Sequence, residues 1–408
     1  MGGGGAIGQA LVVLATPVLT RLFTPEDFGV YALYSSTVLV AGSLASLRLD
    51  AAVLVPRQLG TAVALSKLGS GALVVVGVVT AAAAAAAVAV GVLGPDATHS
   101  PALAALFVLL GVVGFGGYQL LNMWAVRERL YGAVARTRVT RAAVQVAFQV
   151  GGGLIGFAPG GLLMGHALGH LFGLRFIGRR MLDAWRSVRT SAARLRWTAR
   201  RYRNYPLLSA PAALLQSSSL QLPAVVLMAC FGPAAAGVYA VAQRVIATPI
   251  QVVGSALAMV FMGETLHLAK SSPAQLRRVM LRSVALTALI GSLPILLLAL
   301  GGPPLFEFAL GREWAESGTY IRTMAPMFVA QFAMYPISQT LNVLERPGLQ
   351  LVFDASRLAL GVGSLAVAAW LGAEPVTAVL VYSIGMTLSY CVYLALALHA
   401  LALRAARG

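Results

Sequence analysis

The feature that most constrains this chain is a succession of apolar runs, each about long enough to cross a lipid bilayer. A transmembrane helix needs about 20 mostly apolar residues. We read twelve such spans, at residues 4–22, 28–47, 70–93, 101–123, 139–157, 161–176, 211–231, 237–262, 283–301, 320–344, 349–371 and 376–398. They are continuous and separated by short polar turns, whereas strands of a membrane barrel alternate apolar and polar residues. Composition agrees: 59% of the 408 residues are hydrophobic and 11% charged, against about 45–50% and 25% in soluble domains. A soluble enzyme, a coiled coil and a disordered chain are excluded.

The chain carries a net charge of +17, which in a soluble protein would point to nucleic acid. Placement gives another explanation. With the first connector external, the internal connectors and the tail carry 25 of the 30 basic residues, ten of them between the sixth and seventh spans. External segments carry Arg21, Arg312 and Arg322. This is the positive-inside pattern, and it predicts a multi-pass protein of the cytoplasmic (inner) membrane with both termini cytoplasmic and no nucleic-acid partner. Met1 and its four glycines lack the basic region of a secretory signal, so the first run is read as a membrane helix. Trp124, Trp314 and Trp370 fall at predicted span ends, as interfacial anchors do. Cys230 and Cys391 show no metal or disulfide spacing, and no metal or other cofactor is expected.

The chain also repeats itself. Residues 23–32 and 231–240 share six of ten positions at an offset of 208, including Pro25/Pro233, Gly29/Gly237 and Tyr31/Tyr239. Gln119, Leu121 and Asn122 return as Gln339, Leu341 and Asn342 at offset 220, and Arg141 returns more weakly as Arg357 at offset 216. The expected architecture is therefore all-α: twelve transmembrane helices in two six-helix lobes. Six is even, so the repeat is parallel, with a pseudo-two-fold along the membrane normal. We place the lobes at 1–178 and 206–408, joined by a basic cytoplasmic linker at 179–205. The linker's apolar Met181, Trp185, Val188, Ala192 and Leu195 recur at helical spacing, which predicts an amphipathic helix on anionic membrane lipids or a plain lobe connector. Pro17, Pro211 and Pro223 lie in the first spans of the two halves, where a proline bends the helix, structurally or as a gate.

The run T-R-L-F-T-P-E-D-F-G-V-Y-A at 20–32, with S-L-A-S-L-R-L-D at 43–50 and G-V-Y-A-V-A-Q-R at 237–244, resembles the Wzx-type polysaccharide-biosynthesis flippases. These belong to the multidrug/oligosaccharidyl-lipid/polysaccharide exporter superfamily. The resemblance in layout covers the whole chain; the local motifs are confined to those blocks, and the glycine-rich start departs from the family's short cytoplasmic lead. It implies two six-helix lobes, alternating access and a polyprenyl-pyrophosphate-linked oligosaccharide as cargo, with polysaccharide polymerases and glycosyltransferases as neighbours in the process.

A charge at bilayer depth costs at least about 2.5–3.5 kcal/mol, so each intramembrane charge is a candidate. Arg244, preceded by Gln243, lies seven residues beyond Gly237, about 10 Å along a helix. The family's central cavity lies here, so an anion-binding role is expected beside a structural one. Arg48 with Asp50 stands at the inner end of the second span, snorkelling or lining a cationic cavity. Gln216, with Ser217 to Ser219 and Gln221, supplies polar groups for sugars or for helix contacts. Asp354 and Arg357, three apart, share a helical face as a structural ion pair or a coupling carboxylate. His166 and His170 have i, i+4 spacing without a glutamate between them, so packing or proton coupling is favoured over metal.

The substrate-binding set is thus Arg48, Asp50, Gln216, Gln243 and Arg244, with Arg48 and Arg244, one per lobe, holding pyrophosphate bidentately. Rivals are a multidrug or lipid II exporter of the same superfamily and an integral-membrane polymerase or ligase. The longest external connector shows no catalytic arrangement, so no enzyme is expected.

Overall fold

The computed structural model describes residues 2–91, 100–344 and 346–405. The predicted end of the third span at Leu93, and Asp96, Glu345 and Arg407, which the sequence reading counts among the external and cytoplasmic charges, lie outside the described residues, as do the side chains of Glu264, Lys270 and Arg404. The described residues are helical almost throughout, with no strand among them. The chain divides into two compact units, Met1–Gln221 and Leu222–Gly408.

The first unit opens with α1 (Gly2–Leu14) and α2 (Thr16–Leu22), one span divided at Ala15. Pro17 stands in the first turn of α2, Ala15 at the junction keeps helical torsions, and Thr16 Oγ1 donates to the Val12 carbonyl. Next, α3 (Pro25–Leu44) starts from a capping box in which Thr24 and Asp27 satisfy each other's backbone amides. Then come α4 (Leu49–Ala52), α5 (Leu59–Ala89), α6 (Pro101–Arg127), α7 (Tyr131–Leu154), α8 (Gly160–Ser187) and α9 (Ala192–Arg201).

A 62-residue helical stretch, α10 (Ala210–Ser271), runs across the boundary between the units. It is two spans rather than one, because Gly232 breaks it at φ 85°, ψ 177°, a conformation that only glycine adopts readily. Pro223, expected to bend the seventh span, keeps helical torsions. The second unit continues with α11 (Pro273–Leu310), broken at Gly302, then α12 (Ala315–Met334), α13 (Thr340–Val343), α14 (Pro347–Arg357), α15 (Ser364–Trp370) and α16 (Pro375–Ala405). Arg322 Nε and Nη2 donate to the Ala299 and Leu300 carbonyls, which the Gly302 break leaves open.

The second unit repeats the pairings of the first. The third and fourth spans pack together (α5 with α6, α11 with α12), the fourth packs on the sixth (α6 with α8, α12 with α16), and the fifth on the sixth (α7 with α8, α14 and α15 with α16). The described helices thus form twelve spans in two six-helix lobes. Seven helical stretches are long and apolar enough to cross a membrane by composition alone, one of them, Tyr205–Gly263, holding two spans. The stretches that fall short are α3, α7, α8 and α12, and in the first lobe these helices carry the polar residues described below.

Three sequence expectations are corrected. Trp124 and Trp314 are fully buried in packed cores, so large aromatic rings at span ends fill protein here instead of anchoring an interface; Trp370 is exposed. The linker is not one amphipathic helix, because α8 runs through residue 178 to Ser187 and a turn separates it from α9. Its apolar Met181, Trp185 and Val188 pack on the first unit's core around Leu65, Leu120 and Trp124, where they gain more burial than at a membrane surface.

Candidate functional site

Glycines at positions 165, 169 and 173 allow α8 to lie directly against α7. A Cβ on Gly165 would meet the Gln145 carbonyl at 2.7 Å, and one on Gly169 the Arg141 carbonyl at 2.9 Å. This close approach brings the polar faces of both helices together. His166 and His170, one turn apart on α8, have ring centroids 4.7 Å apart. His166 meets the rings of Tyr31 and Tyr34 edge-on at 5.8 and 5.5 Å, and His170 stacks on Phe115 at 5.3 Å. From α7, Arg141 Nη1 lies 3.5 Å from His170 Nε2, and its guanidinium sits 5.1 Å over the Tyr118 ring. Gln145 Nε2 reaches the Tyr31 hydroxyl at 3.5 Å.

Arg141 therefore has an imidazole and a phenol ring as its close neighbours. The ring quadrupole attracts the cation, and Nη1 stands at the limit of hydrogen-bond reach from the imidazole. In sequence Arg141 stands at the very start of the fifth predicted span, 139–157, where its charge is counted with the adjoining internal connector; in the structure it packs within the first lobe, and the offset-216 match to Arg357 is the signal that marks it.

The second lobe carries a counterpart. Gln243 Nε2 donates to the Tyr239 hydroxyl at 2.8 Å, and Tyr239 reaches Tyr382 at 3.5 Å. Asp354 and Arg357 are both buried and form an ion pair at 3.4 Å, with Gln350 Nε2 on the second carboxylate oxygen. The Arg357 guanidinium lies 5.3 Å over Phe353, whose ring meets Tyr390 and Tyr393. A π-helical turn, Leu358–Gly363, follows Arg357 directly. Such turns are frequent at functional sites, and here the Met386 side chain packs against Gly361.

Of the remaining predicted site residues, Arg244 is half-buried beside Gln243 on α10. Arg48 and Asp50 do not share a helix with the rest of the second span. That span ends at Leu44, and Leu47 and Arg48 take left-handed torsions before α4 begins. Asp50 is buried and accepts the Ser46 hydroxyl at 2.6 Å, while Arg48 is half-buried. No ion pair joins the two among the described residues. Gln216 is exposed, and Ser219 behind it is buried with its hydroxyl on the Leu215 carbonyl. The structure groups Gln243 with Tyr239 and Asp354 with Arg357, and it adds Arg141, Tyr31, Tyr118 and Gln145, which sequence reasoning did not place in a site.

Two six-helix lobes, each with an arginine set among aromatic rings, half-buried Arg141 in the first and buried Arg357 in the second, define a multi-pass integral membrane protein of two-lobed helical architecture. The family model for polysaccharide biosynthesis proteins matches residues 18–319, and the chain belongs to that family. Among curated proteins none matches by sequence.

Solved structures share the fold. An inward-facing multidrug resistance MATE family transporter of the MOP superfamily superposes with a TM-score of 0.67 at 15% identity, covering 97% of this chain and 95% of that one. The lipid II flippase MurJ, in an inward closed conformation, gives 0.66 at 10% identity over 95% and 85%. A MOP superfamily transporter from Pyrococcus furiosus, described by the reverse polarity of its binding pocket, gives 0.57 at 14% over 98% and 94%.

Proposed function

We propose that this protein is a flippase that moves a polyprenyl-pyrophosphate-linked oligosaccharide across the cytoplasmic membrane by alternating access, for cell-surface polysaccharide synthesis. The observation that carries this reading is membership of the polysaccharide-biosynthesis family over most of the chain together with a basic excess among the charges inside the lobes. Arg48, Arg141, Arg244 and Arg357 stand there against Asp50 and Asp354. A phosphate-bearing cargo suits such a balance, since guanidinium forks pair with phosphate oxygens bidentately. A cationic drug would call for carboxylates instead.

In this reading Arg244 in the second lobe and Arg48 in the first each offer a guanidinium to phosphate, and Gln216, Gln243 and Asp50 offer hydrogen bonds to sugar or phosphate. The left-handed turn at Leu47 and Arg48 presents the Arg48 side chain outside a regular helix. Asp354, held by Arg357 and Gln350, is the carboxylate for ion coupling. Both termini are cytoplasmic, following the arginine-rich connectors. The chain supplies binding and conformational change, with no catalytic step.

The test is translocation of lipid-linked oligosaccharide in a complementing strain at matched protein levels. Losing a charge-assisted contact weakens binding by about tenfold or more, so Arg244→Ala should lower transport by at least that factor, and Arg244→Lys should recover only part of it. Full transport by Arg244→Ala refutes the role of this residue. Transport of lipid II or of a cationic drug in place of the oligosaccharide moves the chain to a different cargo class within the superfamily.

A further inference from the structure

Between the N-terminal part of α5 and the turn joining α8 to α9, within the first unit, lies an open surface pocket of about 640 Å³. Three cations line it, Lys67, Arg189 and Arg194, with the hydroxyls of Thr190 and Ser191 and the ring of Trp185. No carboxylate lines it among the described residues. Its volume falls in the range of about 300–1,000 Å³ typical of small-ligand sites.

The lining is built and braced. Trp185 Nε1 donates to Ser66 Oγ at 2.7 Å, which pins the indole against α5. Lys67 Nζ stands 5.9 Å over that indole and donates to Thr190 Oγ1 at 3.3 Å. Ser191 caps α9 by accepting the Arg194 amide at 3.2 Å, so the positive end of a ten-residue helix opens beside the pocket. The Arg194 guanidinium lies over Gly60, where a Cβ would approach Nη1 to 2.5 Å; the glycine leaves this arginine its place. Lys67 is half-buried and Arg189 and Arg194 are exposed; like charges this close repel, and an anion among them relieves that repulsion.

We propose that this pocket binds a phosphate-bearing anion, with Lys67, Arg189 and Arg194 as its counter-charges and Thr190 as a hydroxyl partner. The site is separate from the residues assigned to cargo, and it stands whether or not the transport reading holds. Two sources present the same chemistry, a phosphorylated lipid headgroup and a soluble diphosphate.

The test uses the purified full-length chain and direct binding. Calorimetry with inorganic pyrophosphate in neutral detergent probes the soluble source, and native mass spectrometry from nanodiscs of phosphatidylglycerol against phosphatidylcholine probes the lipid. Wild type should bind at least one probe, and Lys67→Gln with Arg194→Gln should weaken it by on the order of tenfold or more. Arg196→Gln and Arg200→Gln, exposed positions on the same helix outside the pocket, should leave binding unchanged. Gly60→Ala, which displaces Arg194 without removing charge, gives the second variant should the double substitution fail to fold. Selective binding of pyrophosphate assigns the soluble source, and selective retention of phosphatidylglycerol the lipid one. Binding of neither probe, or equal losses from Arg196→Gln and Arg194→Gln, overturns the proposal.

Discussion

The ring of Tyr31 meets the imidazole of His166 edge-on, with centroids 5.8 Å apart and planes at 77°. Tyr239 and Tyr382 meet in the same way in the second lobe, at 6.2 Å and 73°. Tyr239 follows Tyr31 by 208 residues and Tyr382 follows His166 by 216. These are the offsets at which the sequence repeats its first turn and its arginine. The duplication thus preserves a contact geometry, a second-span tyrosine against a sixth-span ring, while the sixth-span residue differs. The first lobe carries a titratable imidazole where the second carries a phenol.

Because Arg141 is held by Tyr118 and His170, its loss should weaken the first lobe. A cation over an aromatic face contributes about 0.5–2 kcal/mol. Arg141→Gln should lower the thermal unfolding midpoint in detergent, and Arg141→Lys should recover part of the loss. An unchanged midpoint in Arg141→Gln contradicts the contact's structural weight.

The close approach of α7 and α8 depends on Gly165. Placing a methyl there forces Gln149 or the α7 backbone to move, and overpacking of this kind costs about 1–3 kcal/mol. Gly165→Ala should be destabilised by that amount, whereas Gly151→Ala, at an exposed position of α7 with open space around it, should be neutral or slightly stabilising. Comparing the two unfolding midpoints checks it.

Asp354 and Arg357 are buried together, so breaking the pair exposes the asymmetry of buried charge. Removing either partner alone leaves an uncompensated charge, at about 3–5 kcal/mol, whereas replacing both by apolar residues is close to neutral. Asp354→Leu and Arg357→Leu singly should each destabilise strongly, and the double variant should be more stable than either. A double-mutant cycle with additive effects contradicts the coupling.

Gly232 separates the seventh and eighth spans with a torsion pair that carries strain of order 1–3 kcal/mol for other residues. Gly232→Ala should reduce folded yield and stability by that order. Gly348→Ala, at a glycine with open surroundings, serves as the control. Equal stability of the two variants sinks the assignment of Gly232 as the obligatory break.

Some of the site was legible in advance. Arg357 and Asp354 stood out because their three-residue spacing places both on one helical face, and Gln243 and Arg244 because polar residues deep in an apolar run are costly. Arg141 did not, because an arginine near a span boundary reads equally as a cytoplasmic charge and as a buried one. Asp50 was legible as a candidate, and Ser46, four residues before it, is a partner that helical spacing already allows; the end of α3 at Leu44 and the left-handed turn at Leu47 and Arg48 were not legible.

Apolar run length, the alternation of arginine between connectors and the offset repeats belong to the sequence alone. They follow from bilayer thickness, from the charge bias of membrane insertion and from gene duplication, none of which needs long-range contacts. The tertiary structure decided which polar faces turn inward and what they touch there. It buried Trp124 and Met181, broke the linker in two, placed Arg141 against His170, and gathered Lys67, Arg189 and Arg194 around one pocket. Those outcomes depend on how closely α5, α6, α7, α8 and α9 pack, and packing distance is set by side chains on several helices at once.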